Sequence, residues 1–301
     1  MPPRRTEQQH HTAIGLQALP AAVALSHLLD AQLGAAAAVR AALPQIEAAA
    51  KLAAGVIAQG GKLGYGGAGS SGLMALADCL ELAGSFGIAP ERTPMLLAGG
   101  VAALLHMTGA VEDDAGLADA DFAAAGLGPG DALICVSASG ATPYTLALAA
   151  AARARGAALI AIANVAGSAL LKDADVAILL DTGPEVIAGS TRMGAATAQK
   201  IALNLISTLM AIRLGHVFDG YMVNLAADNA KLRDRARRIV ARLTGTDEAT
   251  AASALAAAAG DVKTAVLIAA GAHDRAAATR LLHASHGQLG PALAAQATHP
   301  R

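Results

Sequence analysis

Two short loops carry residue types that bind phosphate. The first is Gly67-Ala-Gly-Ser-Ser-Gly72 and the second is Ser137-Ala-Ser-Gly-Ala-Thr142. Each follows a short apolar segment and leads into a helical pattern. Glycines permit tight turns, and the unpaired N–H groups of a helix N-terminus attract anions. The first loop also has the G-x-G-x-x-G spelling of a dinucleotide site, so by itself it leaves that site and a plain strand-to-helix turn open.

The hydroxyl groups of the second loop favour a phosphate monoester over a dinucleotide. Ser137, Ser139 and Thr142 can surround one terminal phosphate beside a helix N-terminus, which indicates a sugar phosphate. The formal net charge of −1 over 301 residues leaves no basic field for nucleic acid. Local amides, hydroxyls and a few arginines must therefore bind the anion.

The elements that position these loops alternate between strand and helix. Short apolar strands are predicted at residues 63–66, 95–98, 132–136, 158–163 and 176–180. Parallel strands need helical crossovers, so this alternation predicts an α/β fold with a parallel sheet. Ligands of such sheets bind outside the carboxyl ends of the strands, where both loops fall.

The flanking segments are predicted to be helical. From Leu16 to about Gln59 the pattern is that of helices beginning near Pro20 and Pro44, with an apolar stripe that suits either a core or a dimer seam. The stripe comprises Leu25, Leu28, Leu29 and Leu33. A basic helix from Val217 to Arg238 follows the sheet. Short alanine-rich helices then begin at the N-caps Asp247 and Asp274, and Gly260-Asp261 separates two of them.

The segment from Gly183 to Thr191 is rich in turn residues. It is predicted to lead into a helix from Arg192 to about Arg213, with Ser190 and Thr191 at the N-cap. A capping role and a role beside a ligand are both compatible with these residues.

These motifs together resemble the N-acetylmuramic acid 6-phosphate etherase family, whose members have the sugar isomerase (SIS) fold. The resemblance covers most of the chain in the family's order. Besides the two loops it rests on Glu81, Phe86-Gly87, Ala98-Gly-Gly100, Glu112-Asp113, Thr142-Pro-Tyr144, Gly189-Ser190, Arg192-Met193, Thr197-Ala-Gln-Lys200 and Asn229-Ala-Lys-Leu232. It implies a parallel SIS sheet flanked by helices, N-terminal helices and a small C-terminal helical bundle similar to a ubiquitin-associated domain.

The resemblance also implies four segments, a ligand and an assembly. The segments are N-terminal helices at 1–60, a sugar-phosphate-binding SIS domain at 61–216, a connecting helix at 217–243 and the helical bundle at 244–301. The ligand is a sugar 6-phosphate and the assembly a homodimer. The substrate-binding residues are expected to be Gly69, Ser70, Ser71, Ser137, Ser139, Gly140, Thr142, Glu185, Ser190, Thr191 and Arg192.

Two glutamates would carry the chemistry that the resemblance implies. One removes the proton on sugar C2 and the other protonates the departing lactate oxygen, so their pKa values must differ. Glu81 stands between Leu80 and Leu82, and an apolar setting would raise its pKa. Glu112 precedes Asp113 and Asp114 and would also have a raised pKa if unpaired. The residues leave the roles open, and the resemblance assigns Glu112 as the base and Glu81 as the acid.

Several positions depart from the family's pattern. Leu73 and Ala141 stand where the family has arginines, Gly194 stands where it has a lysine, and His10 stands where it has an asparagine. These departures leave three functions open. They are the etherase, an SIS enzyme acting on another amino-sugar 6-phosphate, and a sugar-phosphate sensor without catalysis. Retention of both glutamates favours an enzyme.

The remaining composition predicts a soluble cytoplasmic protein, and the reaction that the resemblance implies needs no cofactor or metal. Cys79 and Cys135 lack C-x-x-C spacing, and each lies in an apolar element typical of a buried free thiol. Histidine and acidic residues are not clustered at metal-ligand spacing. The polar run after Arg5 breaks a signal-peptide pattern, and Gly, Pro or charged residues interrupt the long apolar stretches, so no membrane association is expected.

Overall fold

The computed structural model describes residues 5–298, which form two compact units. One unit contains the residues up to Cys79 together with Glu91–Leu209, and the other contains Leu80–Pro90 together with the chain from Met210 onward. The first four residues of the predicted segment 1–60 and the last three of the segment 244–301 lie outside the described residues.

A five-stranded parallel sheet organises the first unit. Its strands are β1 (Leu63–Gly67), β2 (Met95–Leu97), β3 (Ala132–Ser137), β4 (Ala158–Ala163) and β5 (Val176–Leu179). Their order across the sheet is β2-β1-β3-β4-β5. All five predicted strands are confirmed to within one residue at each end. Every residue of β1 and β3 is buried, which is typical of a parallel sheet covered on both faces.

Helices connect and flank these strands. They are α1 (Ala21–Ala38), α2 (Leu43–Ala58), α3 (Gly69–Phe86), α4 (Gly100–Leu105), α5 (Ala115–Ala125), α6 (Pro143–Ala154), α7 (Ala169–Lys172) and α8 (Gly194–Arg213). Pro20 precedes α1 and Pro44 lies in the first turn of α2, as predicted. Both α3 and α8 begin in the first unit and end in the second.

A buried polar network joins α3 and α8 inside the first unit. The Asp78 carboxylate accepts hydrogen bonds from Tyr65 Oη (3.1 Å), Asn204 Nδ2 (2.7 Å) and Ser207 Oγ (2.9 Å). Burial raises the pKa of Asp78, although these three donors oppose that shift. Removal of one donor would leave a buried polar atom unpaired, so the network fixes α3, whose first turn carries the glycine loop.

The apolar stripe of α1 is on the surface of the single chain. Leu25 is 65% exposed, and Leu29 and Leu33 are each 59% exposed. Two helical stretches, Ala21–Ala58 and Gly194–Arg213, are long and apolar enough to cross a membrane by length and composition alone. In the second of these, 56% of the apolar window is buried, which is the behaviour of a core helix.

A β-hairpin follows α8 in the second unit, so the prediction of one helix from Val217 to Arg238 is wrong over residues 217–229. Strands β6 (Val217–Phe218) and β7 (Tyr221–Met222) are antiparallel. Asp219 and Gly220 between them both have positive φ, +48° and +76°, which suits the two-residue turn of a hairpin. The basic helix starts only after Asn229, whose side chain caps it.

Five helices complete this unit. They are α9 (Ala230–Thr244), α10 (Glu248–Ala257), α11 (Val262–Ala269), α12 (Arg275–Ala284) and α13 (Leu289–Ala297). The N-caps predicted at Asp247 and Asp274 are confirmed by their bonds to Thr250 N and Ala277 N. Asp261 caps α11 in the same way, after the predicted break.

Candidate active site

The loop between β3 and α6 gathers three hydroxyl groups. Ser137 Oγ lies 2.9 Å from Thr142 Oγ1 and 3.5 Å from Ser139 Oγ. The backbone amide of Gly140 donates to Ser137 Oγ, and that of Ala141 donates to Ser139 Oγ. Thr142 is the N-cap residue of α6 but makes no capping bond. The start of α6 therefore presents hydroxyls and first-turn amides to an anion.

The glycine loop lies beside this hydroxyl loop. Strands β1 and β3 are neighbours, with Gly67 opposite Val136, so both loops leave the same edge of the sheet. The two are joined directly because Ala138 N donates to Ser71 Oγ at 3.2 Å. Gly69 and Ser70 form the first turn of α3. The structure thus brings the predicted residues of both loops into one site.

Gly140 has a backbone conformation that its neighbours require. Its φ of +60° is in the left-handed region, and a Cβ there would collide with the Ser168 side chain. Ser168 is buried, and its Oγ has no hydrogen-bond partner among residues 5–298. A substituted residue at position 140 would distort the turn that brings the three hydroxyls together.

Glu112 approaches the glycine loop. It ends a short 3₁₀ turn, Gly109–Glu112, that follows α4. The approach is so close that a Cβ at Gly69, whose φ is +54°, would lie 2.5 Å from Glu112 Oε1. Burial, and secondarily the Asp113 charge, raise the pKa of Glu112. A carboxylate with a raised pKa is a stronger proton acceptor than an ordinary glutamate, as a general base requires.

Glu81 has a different setting from the one expected. It lies on α3, in the part of that helix that belongs to the second unit, and it is exposed. Leu80 is 69% exposed and Leu82 is buried. The apolar setting predicted from the two leucines is therefore not formed in the single chain.

The loop between β5 and α8 ends differently from the prediction. Helix α8 begins at Gly194, two residues after the predicted start, so Ser190 and Thr191 precede its first turn and do not cap it. The buried Glu185 carboxylate caps it by accepting from Gly194 N (2.9 Å) and Ala195 N (2.8 Å). Arg192 is exposed on the turn before the helix.

The glutamate cap also explains the glycine at position 194. A Cβ there would lie 3.1 Å from Glu185 Oε2 and 3.3 Å from Ala35 Cβ. A larger side chain would push on the carboxylate that caps the helix. Gly194, which stands where the resemblance predicts a lysine, therefore leaves room for the buried glutamate cap.

A cavity of about 440 Å³ opens next to Glu185. Its walls include Thr182 and three histidines, His10, His11 and His27. Burial, and secondarily the neighbouring His11, lower the pKa of His10, so its imidazole is largely neutral near pH 7. No group of three His, Cys, Asp or Glu side chains with the geometry of a metal site is found within residues 5–298.

Two features of the site were missed in the sequence. Asp78 supports α3 from inside the core, and a lone acidic residue in the apolar stretch from Leu73 to Leu80 was the signal for it. The pair Asn164 and Gln199, bonded at 2.9 Å, ties the end of β4 to α8. Asn164 and Gln199 carried no such signal, because their spacing does not distinguish them from surface polar residues.

Comparisons with known proteins agree with this geometry. Residues 33–164 match the SIS domain family. A protein of Deinococcus radiodurans named N-acetylmuramic acid 6-phosphate etherase is 46% identical over 93% of this chain and 92% of its own length. A protein of the same name from Streptomyces avermitilis is 45% identical over 86% of this chain and 83% of its own length. Another, from Mycolicibacterium smegmatis, is 39% identical over 96% of this chain and 97% of its own length.

A solved structure shares the fold at lower identity. It is a protein of Bacteroides fragilis assigned as a phosphosugar isomerase, with a TM-score of 0.50 and 20% identity over 67% of this chain and 97% of its own. The high identity over nearly the whole length of the etherases decides the family. The chain belongs to the N-acetylmuramic acid 6-phosphate etherase family of SIS-fold proteins.

Proposed function

We propose that this protein is a carbon–oxygen lyase acting on N-acetylmuramic acid 6-phosphate. It would cleave the D-lactyl ether and yield N-acetylglucosamine 6-phosphate and D-lactate. The observation that carries this proposal is the Glu112 carboxylate, which lies against Gly69 in the glycine loop that Ser71 joins to the hydroxyl loop. The identity to etherases over most of the chain supports the same reaction.

The sugar phosphate would bind at the start of α6. Ser137, Ser139 and Thr142 supply hydroxyl donors, while the amides and dipole of the helix favour the negative charge. The positions of the family's arginines hold Leu73 and Ala141 here, so hydroxyl and amide donors carry more of the phosphate affinity. Gly69, Ser70, Ser71 and Gly140 shape the loops around the sugar. Glu185, Ser190, Thr191 and Arg192 would line its other side.

The reaction would begin with proton transfer from C2 of the ring-opened sugar to Glu112. The electron pair left at C2 forms the C2–C3 double bond as the C3–O bond breaks, and the lactate oxygen takes that bond's electrons. Glu81 would supply the proton to this oxygen. Water then adds at C3 of the unsaturated aldehyde. Each proton transfer by a positioned carboxyl group accelerates its step by roughly 10²–10⁴-fold.

The protein would work as a cytoplasmic homodimer in amino-sugar catabolism and peptidoglycan recycling. The exposed stripe of Leu25, Leu29 and Leu33 on α1 supports a second copy as the occupant of that face. The segments 1–60, 61–216, 217–243 and 244–301 would be the N-terminal helices, the sugar-phosphate domain, the connector and the C-terminal bundle.

A second candidate function is binding or conversion of another amino-sugar 6-phosphate. The observation that favours it is the set of departures at Leu73, Ala141 and Gly194, which alter the surroundings of the phosphate loops. A sugar-phosphate sensor, which would bind such a ligand without converting it, belongs to the same alternative.

An assay of D-lactate release from N-acetylmuramic acid 6-phosphate tests the proposal. We expect lactate in stoichiometric yield with N-acetylglucosamine 6-phosphate. In deuterated water we expect the C2 proton to exchange. Wild-type protein that binds the substrate but neither releases lactate nor exchanges this proton would overturn the lyase assignment. A panel of other amino-sugar 6-phosphates would then identify the ligand.

A further inference from the structure

Helix α9 concentrates positive charge in a chain that is nearly neutral overall. Between Ala230 and Thr244 it carries six cationic side chains against a single carboxylate, that of Asp234. Three of the cations, Arg235, Arg238 and Arg242, recur at spacings of three and four residues. They therefore share one face of the helix.

This arginine face borders a groove. A cavity of about 580 Å³ is lined by the three arginines, the hairpin residues Tyr221 and Met222, and Ile239 of the same helix. Ile239 is buried and the hairpin residues are partly buried, so the groove has an apolar floor beneath cationic walls. All of these residues belong to the second unit.

The cations of the groove are poorly neutralised by the protein. Asp234 lies 2.9 Å from Arg238 but also 2.6 Å from Arg237, which pairs with Glu248 as well. Within residues 5–298, no carboxylate lies at ion-pair distance from Arg235 or Arg242. Like charges at helical spacing repel one another, so a bound anion would stabilise this helix.

We infer that the groove binds a small anion with two or more phosphate groups. Guanidinium groups are planar and bond phosphate oxygens in pairs, and three of them on one face can engage more than one phosphate. The cavity volume is within the range of small-molecule sites. A nucleic acid would need a longer basic track, and the net charge of −1 supplies none. This site is independent of the proposed lyase function.

Titration calorimetry with inorganic pyrophosphate tests the inference. The groove variant is Arg235→Gln with Arg242→Gln, and the matched control is Arg275→Gln with Arg280→Gln, two exposed arginines of α12. We expect the groove variant to bind pyrophosphate about tenfold more weakly or worse and the control to bind as wild type does. Equal affinity in all three proteins, or equal weakening in both variants, would overturn the inference.

Two further measurements separate this site from others. Pyrophosphate also has access to the hydroxyl loop, so Ser139→Ala with Thr142→Ala should remove that contribution and leave the groove's binding intact. In the Ser139→Ala, Thr142→Ala protein, pyrophosphate should raise the melting temperature, and adding Arg235→Gln with Arg242→Gln should remove that rise. Lactate release is a separate readout, so failure of the lyase proposal leaves groove binding testable. Capture by phosphatidylglycerol vesicles without any response to pyrophosphate would overturn the soluble-ligand inference.

Discussion

Glu112 and Glu185 both lie near a helix N-terminus at the carboxyl edge of the same sheet, yet their environments are opposite. Glu185 is buried, and its two oxygens accept from the first two amides of α8. Glu112 is half-buried against the first residue of α3, and none of the hydrogen bonds within residues 5–298 ends on it.

Of these two carboxylates, only Glu112 is free to exchange a proton with a substrate. Two amide donors hold the Glu185 carboxylate in place, so its role in this structure is to cap α8. Glu112 lacks such donors, and its pKa is raised by burial and by Asp113. An acceptor without an internal partner can take a proton from a substrate, whereas a satisfied cap cannot do so without uncapping its helix.

The largest expected effect comes from removing the free carboxylate. Glu112→Gln should lower lactate release by roughly 10²–10⁴-fold and abolish C2 proton exchange in deuterated water, because the amide cannot accept the proton. Glu81→Gln should block lactate release but permit exchange, because it removes only the acid. Both are followed by NMR and a lactate assay. If Glu81→Gln abolishes C2 proton exchange and Glu112→Gln permits it, Glu81 is the base and Glu112 the acid.

The next effect concerns the phosphate. Ser139→Ala and Thr142→Ala should each weaken sugar-phosphate affinity about tenfold, because a hydrogen bond to a charged group contributes about 1.5–3 kcal/mol. Binding is measured by calorimetry, with Ser253→Ala on α10 as the control. The melting temperature should hardly change, since neither hydroxyl is a cap. Unchanged affinity in the double variant would show that the phosphate binds elsewhere.

A smaller effect is expected for the capping carboxylate. Glu185→Gln should lower the free energy of unfolding by about 1–2 kcal/mol, because it weakens the charge-assisted bonds to Gly194 and Ala195. Urea denaturation measures this change, and the exposed Glu91→Gln is the control. If the stability of Glu185→Gln is unchanged while its sugar-phosphate affinity falls, the main role of Glu185 is to bind the substrate rather than to cap α8.

The sequence predicted the sheet well because its signal is local. Buried parallel strands are continuous apolar runs, and turn residues such as Gly67 and Ser137 mark where they end. The hairpin at Val217–Met222 was missed because strands of two residues are too short to show alternation. Only the Asp219-Gly220 pair indicated a turn there.

The candidate site was harder to predict from the sequence than the sheet, for a physical reason. Residues 69 and 112 meet through the fold, and no spacing rule joins them, so only the family resemblance singled out Glu112. The cap of α8 comes from Glu185, nine residues before the first amide that it binds. The sequence predicted a cap from Ser190 and Thr191, which lie next to the helix. The four-segment division and the roles of individual site residues stay predictions.

The smallest predicted effect tests the cause of the raised pKa of Glu112. If this residue is the base, activity is lost as the pH falls through its pKa, because the carboxyl group must be ionised. Burial is the larger cause of the shift and the Asp113 charge the smaller. Asp113→Asn should therefore lower the pKa of Glu112 without returning it to the ordinary value, and the acid limb of the kcat/KM profile should move slightly to lower pH.

The control for this shift is Asp119→Asn, a charge removal on the exposed side of α5 that should leave the acid limb in place. The direction of the movement also separates the two roles. A general acid must be protonated, so if Glu112 were the acid, the same substitution would instead move the alkaline limb to lower pH. An acid limb that stays fixed in Asp113→Asn would show that a group other than Glu112 controls it. The free carboxylate of Glu112 would then not be the general base.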